Sequence, residues 1–286
     1  MRILRDMNNT TPSHARAEAF KALHQGPGIF VIPNPWDAGS AKVLESLGFK
    51  ALATTSAGLA FSLGKPDADG SVTREETLRN AQDIIGATGL PVAADLENGY
   101  GDDPAVCAET ILLAAKAGLS GGSIEDATGR PDDPIYPFAQ AVERVKAAVE
   151  AARSLPYPFV LTARAENLIH GRLDLADTIR RLEAFADAGA DVLYAPGLKT
   201  REEITAVVKA VAPRPVNVVM GFSGGVFSLD VLEEIGVKRV SIGSSLARAA
   251  FGAIFRAARE VLLEGTFTYA NEATPYADLN KLFGER

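Results

Sequence analysis

The sequence predicts an α/β chain folded as a closed (β/α)8 TIM barrel. Three observations carry that expectation. Eight short apolar runs alternate with eight amphipathic ones, a glycine often separates a helical run from the next strand, and no Pro-, Gly- or Ser-rich linker divides the 286 residues. A doubly wound open sheet is the structural alternative, although such sheets more often use about five to seven strands.

The elements follow in chain order. Strand 28–33 (GIFVIP) precedes helix 38–47, which stops at Gly48. Strand 51–56 (ALATTS) leads through a connection at 57–72 into helix 73–88, where Thr73 and Glu76 have the spacing of a capping box. Strand 91–97 (PVAADLE) precedes helix 103–117, capped by Asp103 and ended by Gly118. Strand 119–125 (LSGGSIE) is followed by a connection at 126–137 and helix 138–153. Strand 159–164 (FVLTAR) is followed by 165–173 and by helix 174–188, with Gly189 beyond it. Strand 191–195 precedes helix 200–211, opened by a second capping-box pair, Thr200 and Glu203. Strand 215–220, helix 228–235 capped by Ser228, strand 238–243 and helix 245–263 complete the series. The whole of 1–286 reads as one domain, with a helical lead-in (1–27) and a polar, aromatic-containing tail (266–286).

Composition narrows the function. With 47% hydrophobic and 23% charged residues the chain is neither disordered nor collagen-like. A net charge of −7 and the lack of a dense Lys/Arg stripe speak against nucleic acid as a partner. No run of about 18 apolar residues suggests a membrane span, and the polar N-terminus does not resemble a secretory signal. One cysteine, Cys107, excludes an intrachain disulfide and fits a cytoplasmic setting. Its spacing with Ile111 and Ala115 places it on an apolar helix face.

The chemistry lies in the carboxylates at the strand ends. Asp95 and Glu97 end the third strand two residues apart, which directs both to one side. Glu125 and Asp126 end the fourth strand, and Asp67 and Asp69 follow the second. Asp95, Asp67, Glu97 and Glu125 would gather like charges that need a cation, shared protons or water between them. Mg²⁺ suits such oxygen donors, with Mn²⁺ as a substitute, and the lack of a His/Cys cluster argues against zinc. Arg164 closes the fifth strand; its planar fork suits the carboxylate or phosphoryl group of a bound acid, or a buried ion pair to Glu125 or Glu166. Thr55, Ser56 and Ala57 are small enough for backbone N–H groups to approach a ligand. Tyr100 and Trp36 are candidate pocket walls, His170 is the one histidine near the expected mouth, and GFSGG (221–225) and Gly243-Ser244-Ser245 are candidate anion contacts.

The segments TTSAG, LGKPD, AADLENGYG, GGSIEDATG, LTARAEN and RVSIGSSLARAAFGA occur in order across roughly residues 28 to 255. Together they resemble the phosphoenolpyruvate mutase/isocitrate lyase superfamily, nearer its mutase-like branch. The resemblance implies that Asp95 meets Mg²⁺ most directly, that Asp67, Glu97 and Glu125 bind it through water, and that Arg164 holds a substrate carboxylate. It implies that Thr55, Ser56 and Ala57 surround a 2-keto acid or its enolate. It also implies a last helix swapped with a partner, giving a homodimer or homotetramer. One departure is informative. The carbon–carbon lyases of that family carry a Lys-x-Cys-Gly-His loop after the fourth strand, whereas DATGRPDDPIYP has neither Cys nor His, and Arg130 is its one basic residue.

The leading expectation is therefore a Mg²⁺-dependent lyase acting on a small anionic 2-keto dicarboxylic acid through a pyruvate enolate, resembling oxaloacetate decarboxylase, with water or Tyr100 returning the proton. The alternatives are a phosphonopyruvate hydrolase or phosphoenolpyruvate mutase, a 2-methylisocitrate-type lyase, and a non-catalytic barrel with a relic metal site.

Overall fold

The computed structural model describes residues 12–221 and 225–284. Eight strands form one parallel sheet: β1 (Phe30–Ile32), β2 (Leu52–Ala53), β3 (Val92–Asp95), β4 (Gly121–Glu125), β5 (Val160–Arg164), β6 (Val192–Tyr194), β7 (Val216–Val219) and β8 (Arg239–Ser241). Their order is β1-β8-β7-β6-β5-β4-β3-β2. The remaining seam is closed just beyond the strands, where Ala53 N–H donates to the Pro33 carbonyl at 3.1 Å. Asn34 reinforces it: its amide donates to the Thr54 carbonyl at 3.0 Å, and its Oδ1 accepts from Ile242 and Gly243 at 3.0 and 2.9 Å. The expected (β/α)8 barrel is the observed fold.

Helix α1 (Pro12–Gln25) leads in. The helices that follow are α2 (Ala38–Ser46), α3 (Ser56–Ser62), α4 (Arg74–Ala87), α5 (Pro104–Lys116), α6 (Phe138–Arg153), α7 (Leu175–Asp187), α8 (Arg201–Val211), α9 (Leu229–Glu234), α10 (Ser245–Glu264) and α11 (Tyr276–Gly284). Thr73 with Glu76 and Thr200 with Glu203 form the anticipated capping boxes, and Asp103 and Ser228 cap α5 and α9. Gly48, Gly118, Gly189 and Gly236 all have left-handed φ, the backbone that ends a helix without a Cβ clash.

One expectation changes and two details are new. The connection 57–72 begins with α3, a seven-residue helix capped by Thr55, whose hydroxyl accepts from Gly58 N–H at 3.2 Å. Ser244 takes the N-cap position of α10 and makes no side-chain capping bond. The tail contains a 3₁₀ turn (Thr268–Glu272) and α11, which reaches α2 where Lys42 Nζ donates to the Phe283 carbonyl at 3.2 Å. Residues 1–11 of the lead-in and 222–224 of the GFSGG segment lie outside the described residues.

Outward-facing strand residues such as Leu52, Leu161 and Leu193 pack under the helices in the main core, with Cys107 buried among them. α1 closes the barrel floor through Phe20, which packs with Ile32, Ala51, Ala93, Val160 and Val192. Barrel interiors are usually filled by bulky branched side chains. Here Ala53, Ala93, Ser123, Thr162 and Ser241 face inward and leave a cavity of about 200 Å³ open toward the C-terminal strand ends. Among the described residues no helix is long and apolar enough to cross a membrane.

Candidate active site

Asp95, Glu125 and Arg164 are the last residues of β3, β4 and β5, so the parallel register delivers all three to one rim. Glu125 and Arg164 are direct cross-strand partners. Arg164 binds three carboxylates: Nη1 to Asp95 Oδ1 at 2.9 Å, Nη2 to Glu125 Oε2 at 3.1 Å and Nε to Glu166 Oε1 at 2.8 Å. Its guanidinium also lies over the Tyr194 ring, 5.2 Å from the centroid. Burial alone would weaken its hold on its proton, but Glu166, Asp95 and Glu125 outweigh burial and raise its pKa well above the ordinary value.

Thr55, Ser56, Ala57, Asp67, Asp95 and Arg164 all line the barrel cavity. Thr54 fixes the seam between β2 and β3, its hydroxyl accepting from Asp95 N–H at 3.1 Å. Gly58 is dictated by packing: a Cβ there would meet Thr55 Cγ2 at 2.5 Å and Trp36 Cβ at 2.9 Å.

Glu97 does not share the strand geometry expected of it. β3 ends at Asp95, and Glu97 adopts a left-handed φ of 47°, so the two-residue alternation is broken. Glu97 and Glu125 instead line an adjoining space with Tyr100 and His170. Tyr100, also left-handed at φ 65°, donates its hydroxyl to Thr77 Oγ1 at 2.7 Å. Arg130 does not reach the barrel cavity either: it pairs with Asp102 at 2.9 Å on an exposed edge. A single antiparallel bridge, Ala127 to Ile135, folds the connection back on itself.

The acids perturb one another. Burial, then the charge of Asp95, raises Asp67, against a hydrogen bond from Ser56. Burial, then Asp95 and Asp67, raises Glu97 to about 7. Burial raises Glu125 well above the carboxylate range; Arg164 opposes this, while Glu166, Asp95 and Glu97 add to it. Three carboxylates thus contact the Arg164 guanidinium, and Asp67 and Glu97 lie within range of its charge. Among the described residues no three His, Cys, Asp or Glu side chains form a group that could hold a metal directly. The donor set fits a hard divalent cation held by few direct oxygens and otherwise through water.

Arg181, Tyr194, Asn217 and Arg239 were not apparent from the sequence, nor was the supporting role of Asp126. Asp126 Oδ1 accepts from Glu166 N–H at 2.8 Å, and Arg181 of α7 donates to Asp126 Oδ2 at 3.0 Å, which anchors the acid beside Arg164. Arg181 occupies the same buried helix face as Thr178, Leu182 and Phe185, and a charge on that face was the available signal. Tyr194, Asn217 and Arg239 also line the cavity.

Comparison with known proteins agrees with this fold. The phosphoenolpyruvate phosphomutase family model matches residues 20–262. The uncharacterized protein Rv1998c of Mycobacterium tuberculosis is 32% identical over 267 residues, covering 91% of this chain and 94% of its own. A solved structure from Burkholderia cenocepacia J2315, of inferred lyase/mutase type, is 60% identical with a TM-score of 0.92 and covers 95% of this chain and 96% of its own. The structure of oxaloacetate acetylhydrolase with its product oxalate is 27% identical with a TM-score of 0.85, covering 95% of each chain. The chain belongs to the phosphoenolpyruvate mutase/isocitrate lyase superfamily.

Proposed function

We propose that this chain is a Mg²⁺-dependent carbon–carbon lyase that acts on a small anionic 2-keto dicarboxylic acid through a pyruvate enolate, in the manner of an oxaloacetate decarboxylase. One observation carries the reading: Asp95, Glu125 and Arg164 meet at three successive strand ends, and the described lining of the adjacent cavity has no histidine, cysteine or lysine. Cleavage that releases CO₂ needs no acid to protonate the leaving group. The C3–C4 bond breaks, its electron pair passes into the enolate, and C3 then takes a proton from water. Tyr100 is the less suitable donor, because its hydroxyl is engaged by Thr77.

Arg164 is held rigidly by its three acids and orients the carboxylate end of the substrate. Ser56 and Ala57 open α3, where amide N–H groups lack intrahelical acceptors, so they can meet the developing oxyanion. Asp95 would hold Mg²⁺ directly and Asp67, Glu97 and Glu125 through water, with Mn²⁺ as a substitute. When bound, the metal supplies positive charge against the enolate oxygen. We further place the chain in the cytoplasm as one domain over 1–286 and as a homo-oligomer, a dimer or tetramer, with the last barrel helix lent to a partner. The likeness to oxaloacetate acetylhydrolase supports a keto acid of this size.

The test is a Mg²⁺-supplemented panel of oxaloacetate, phosphonopyruvate, 2-methylisocitrate and 2,3-dimethylmalate, with pyruvate, CO₂, phosphate and succinate followed separately. Pyruvate with CO₂ from oxaloacetate is expected. Phosphate from phosphonopyruvate would move the reading to carbon–phosphorus hydrolysis. Succinate from 2-methylisocitrate would assign a C–C lyase that works without the cysteine loop. Interconversion of phosphonopyruvate and phosphoenolpyruvate would assign a mutase.

A further inference from the structure

The floor of the cavity carries a charge that the reaction above does not use. Arg239 enters the barrel from β8, lines the cavity with Thr162 and Asn217, and is 6% exposed. Its hydrogen bonds go to neutral groups. Nε donates to Asn217 Oδ1 at 2.8 Å, Nη2 to Thr162 Oγ1 at 3.0 Å and Nη1 to His24 Nε2 at 3.2 Å. An arginine only donates, so His24 Nε2 must accept and the imidazole proton sits on Nδ1, 2.8 Å from the Phe20 carbonyl. The histidine is therefore neutral.

Arg164 is matched by three carboxylates, whereas no ion pair among the described residues includes Arg239. Burial draws its pKa down to about 10, with only Tyr194 opposing, so the group stays cationic at neutral pH. A guanidinium has five N–H donors. Three are used here, and one on each terminal nitrogen is left for a ligand. A buried cation without a counter-charge is costly, and a forked pair of free N–H groups matches a carboxylate. The cavity of about 200 Å³ exceeds several times the roughly 30 Å³ share of one water.

We propose that Arg239, with Thr162 and Asn217, forms a second anion subsite at the barrel floor, independent of the acids at the mouth, that takes a carboxylate. This rests on reading the cavity as the substrate site. A carboxylate held there is stabilised as an anion, so it is not the group lost as CO₂. Arg164 already orients the retained end of a dicarboxylic substrate, so the floor takes either a further carboxylate of a larger substrate or a separate small acid.

The experiment uses bromide and acetate as probes. Wild-type crystals soaked in bromide are expected to show an anomalous peak within hydrogen-bond distance of the Arg239 guanidinium. EDTA-treated wild type is expected to bind acetate in calorimetry, and Arg239→Gln to bind it about tenfold or more weakly. Arg239→Lys, which keeps the charge and loses the fork, is expected to fall between them. Absence of a bromide peak at Arg239, absence of acetate binding to wild type, or binding unchanged in Arg239→Gln overturns the subsite. If Arg239→Gln does not fold, the bromide map and the lysine variant decide. Acetate that competes with the keto acid in turnover assigns the subsite to the substrate; acetate that does not assigns it to a free acid. The binding arm contains no metal, so a failed reaction panel with intact acetate binding sinks the decarboxylase reading alone.

Discussion

Asp95 is bound to Arg164 at 2.9 Å and borders both the cavity and the acid cluster, so one substitution there separates charge from shape. Asp95→Asn keeps the volume and removes the negative charge. Arg164 retains Glu125 and Glu166, so the fold should survive. Metal-dependent turnover should fall on the order of 10²–10³-fold. Steady-state kinetics across a Mg²⁺ titration, read beside thermal unfolding, checks this, and turnover within threefold of wild type would remove Asp95 from the metal site. Asp95, Glu125 and Arg164 were legible in the sequence because each is a charge at the end of an apolar run, where only function or pairing explains it. The orientation of Glu97 and Tyr100 was not, because a left-handed turn reverses what strand alternation implies. Arg239 was illegible for another reason. In the string it is the second half of a Lys-Arg pair at a strand start, and its partners His24, Thr162 and Asn217 lie between 22 and 215 residues away.

Among the elements, α3 shows what local patterning misses. TTSAGLAFS has small residues, no sustained apolar stripe and only two turns of helix, so tertiary packing decides its state. That packing is specific. Gly58 sits between Thr55 and Trp36, and Ala247 of α10 lies 3.6 Å from where a Cβ would stand. Gly58→Ala should destabilise the fold by about 1–3 kcal/mol through overpacking. It should also shift Thr55 and the N–H groups of Ser56 and Ala57, so that turnover falls by more than stability requires. Denaturant unfolding and kinetics below the unfolding transition separate the two effects; an unchanged midpoint would mean the helix yields without strain. The longer helices needed no such help. Their caps and closing glycines are chemical signals within a few residues of each boundary, which is why α4, α8 and the ends at Gly118 and Gly189 matched their expected positions.

Two features of the whole molecule join parts distant in sequence. α10 runs 20 residues with only Ala247 buried, and it leaves Phe255 64% and Leu262 82% exposed. A helix with this much uncovered apolar surface calls for a cover, and a second copy is the proposed one. Light scattering should give a homo-oligomer, and Phe255→Glu with Leu262→Glu should shift it toward monomer; a monomeric wild type would refute the assignment. The second feature is the tie between α1 and the barrel floor. His24 packs edge-on against Phe20 and Phe30, hydrogen-bonds Arg239 and faces the charge of Lys238. Burial, then Arg239, lowers its pKa from 6.5 to about 3. The unfolded chain therefore binds a proton that the folded chain refuses between those values. Stability from this site is complete above pH 6.5 and is lost as pH falls toward 3, with a slope of at most about 1.4 kcal/mol per pH unit. Carboxylates titrate in part of the same range, so the diagnostic is a difference between variants. His24→Gln is neutral throughout, and its unfolding free energy, measured in urea at pH 7.5, 6.0 and 5.0, should decline less steeply than that of wild type. Parallel lines for the two proteins would show that the histidine protonates in place, and that α1 can admit a second cation beside Arg239.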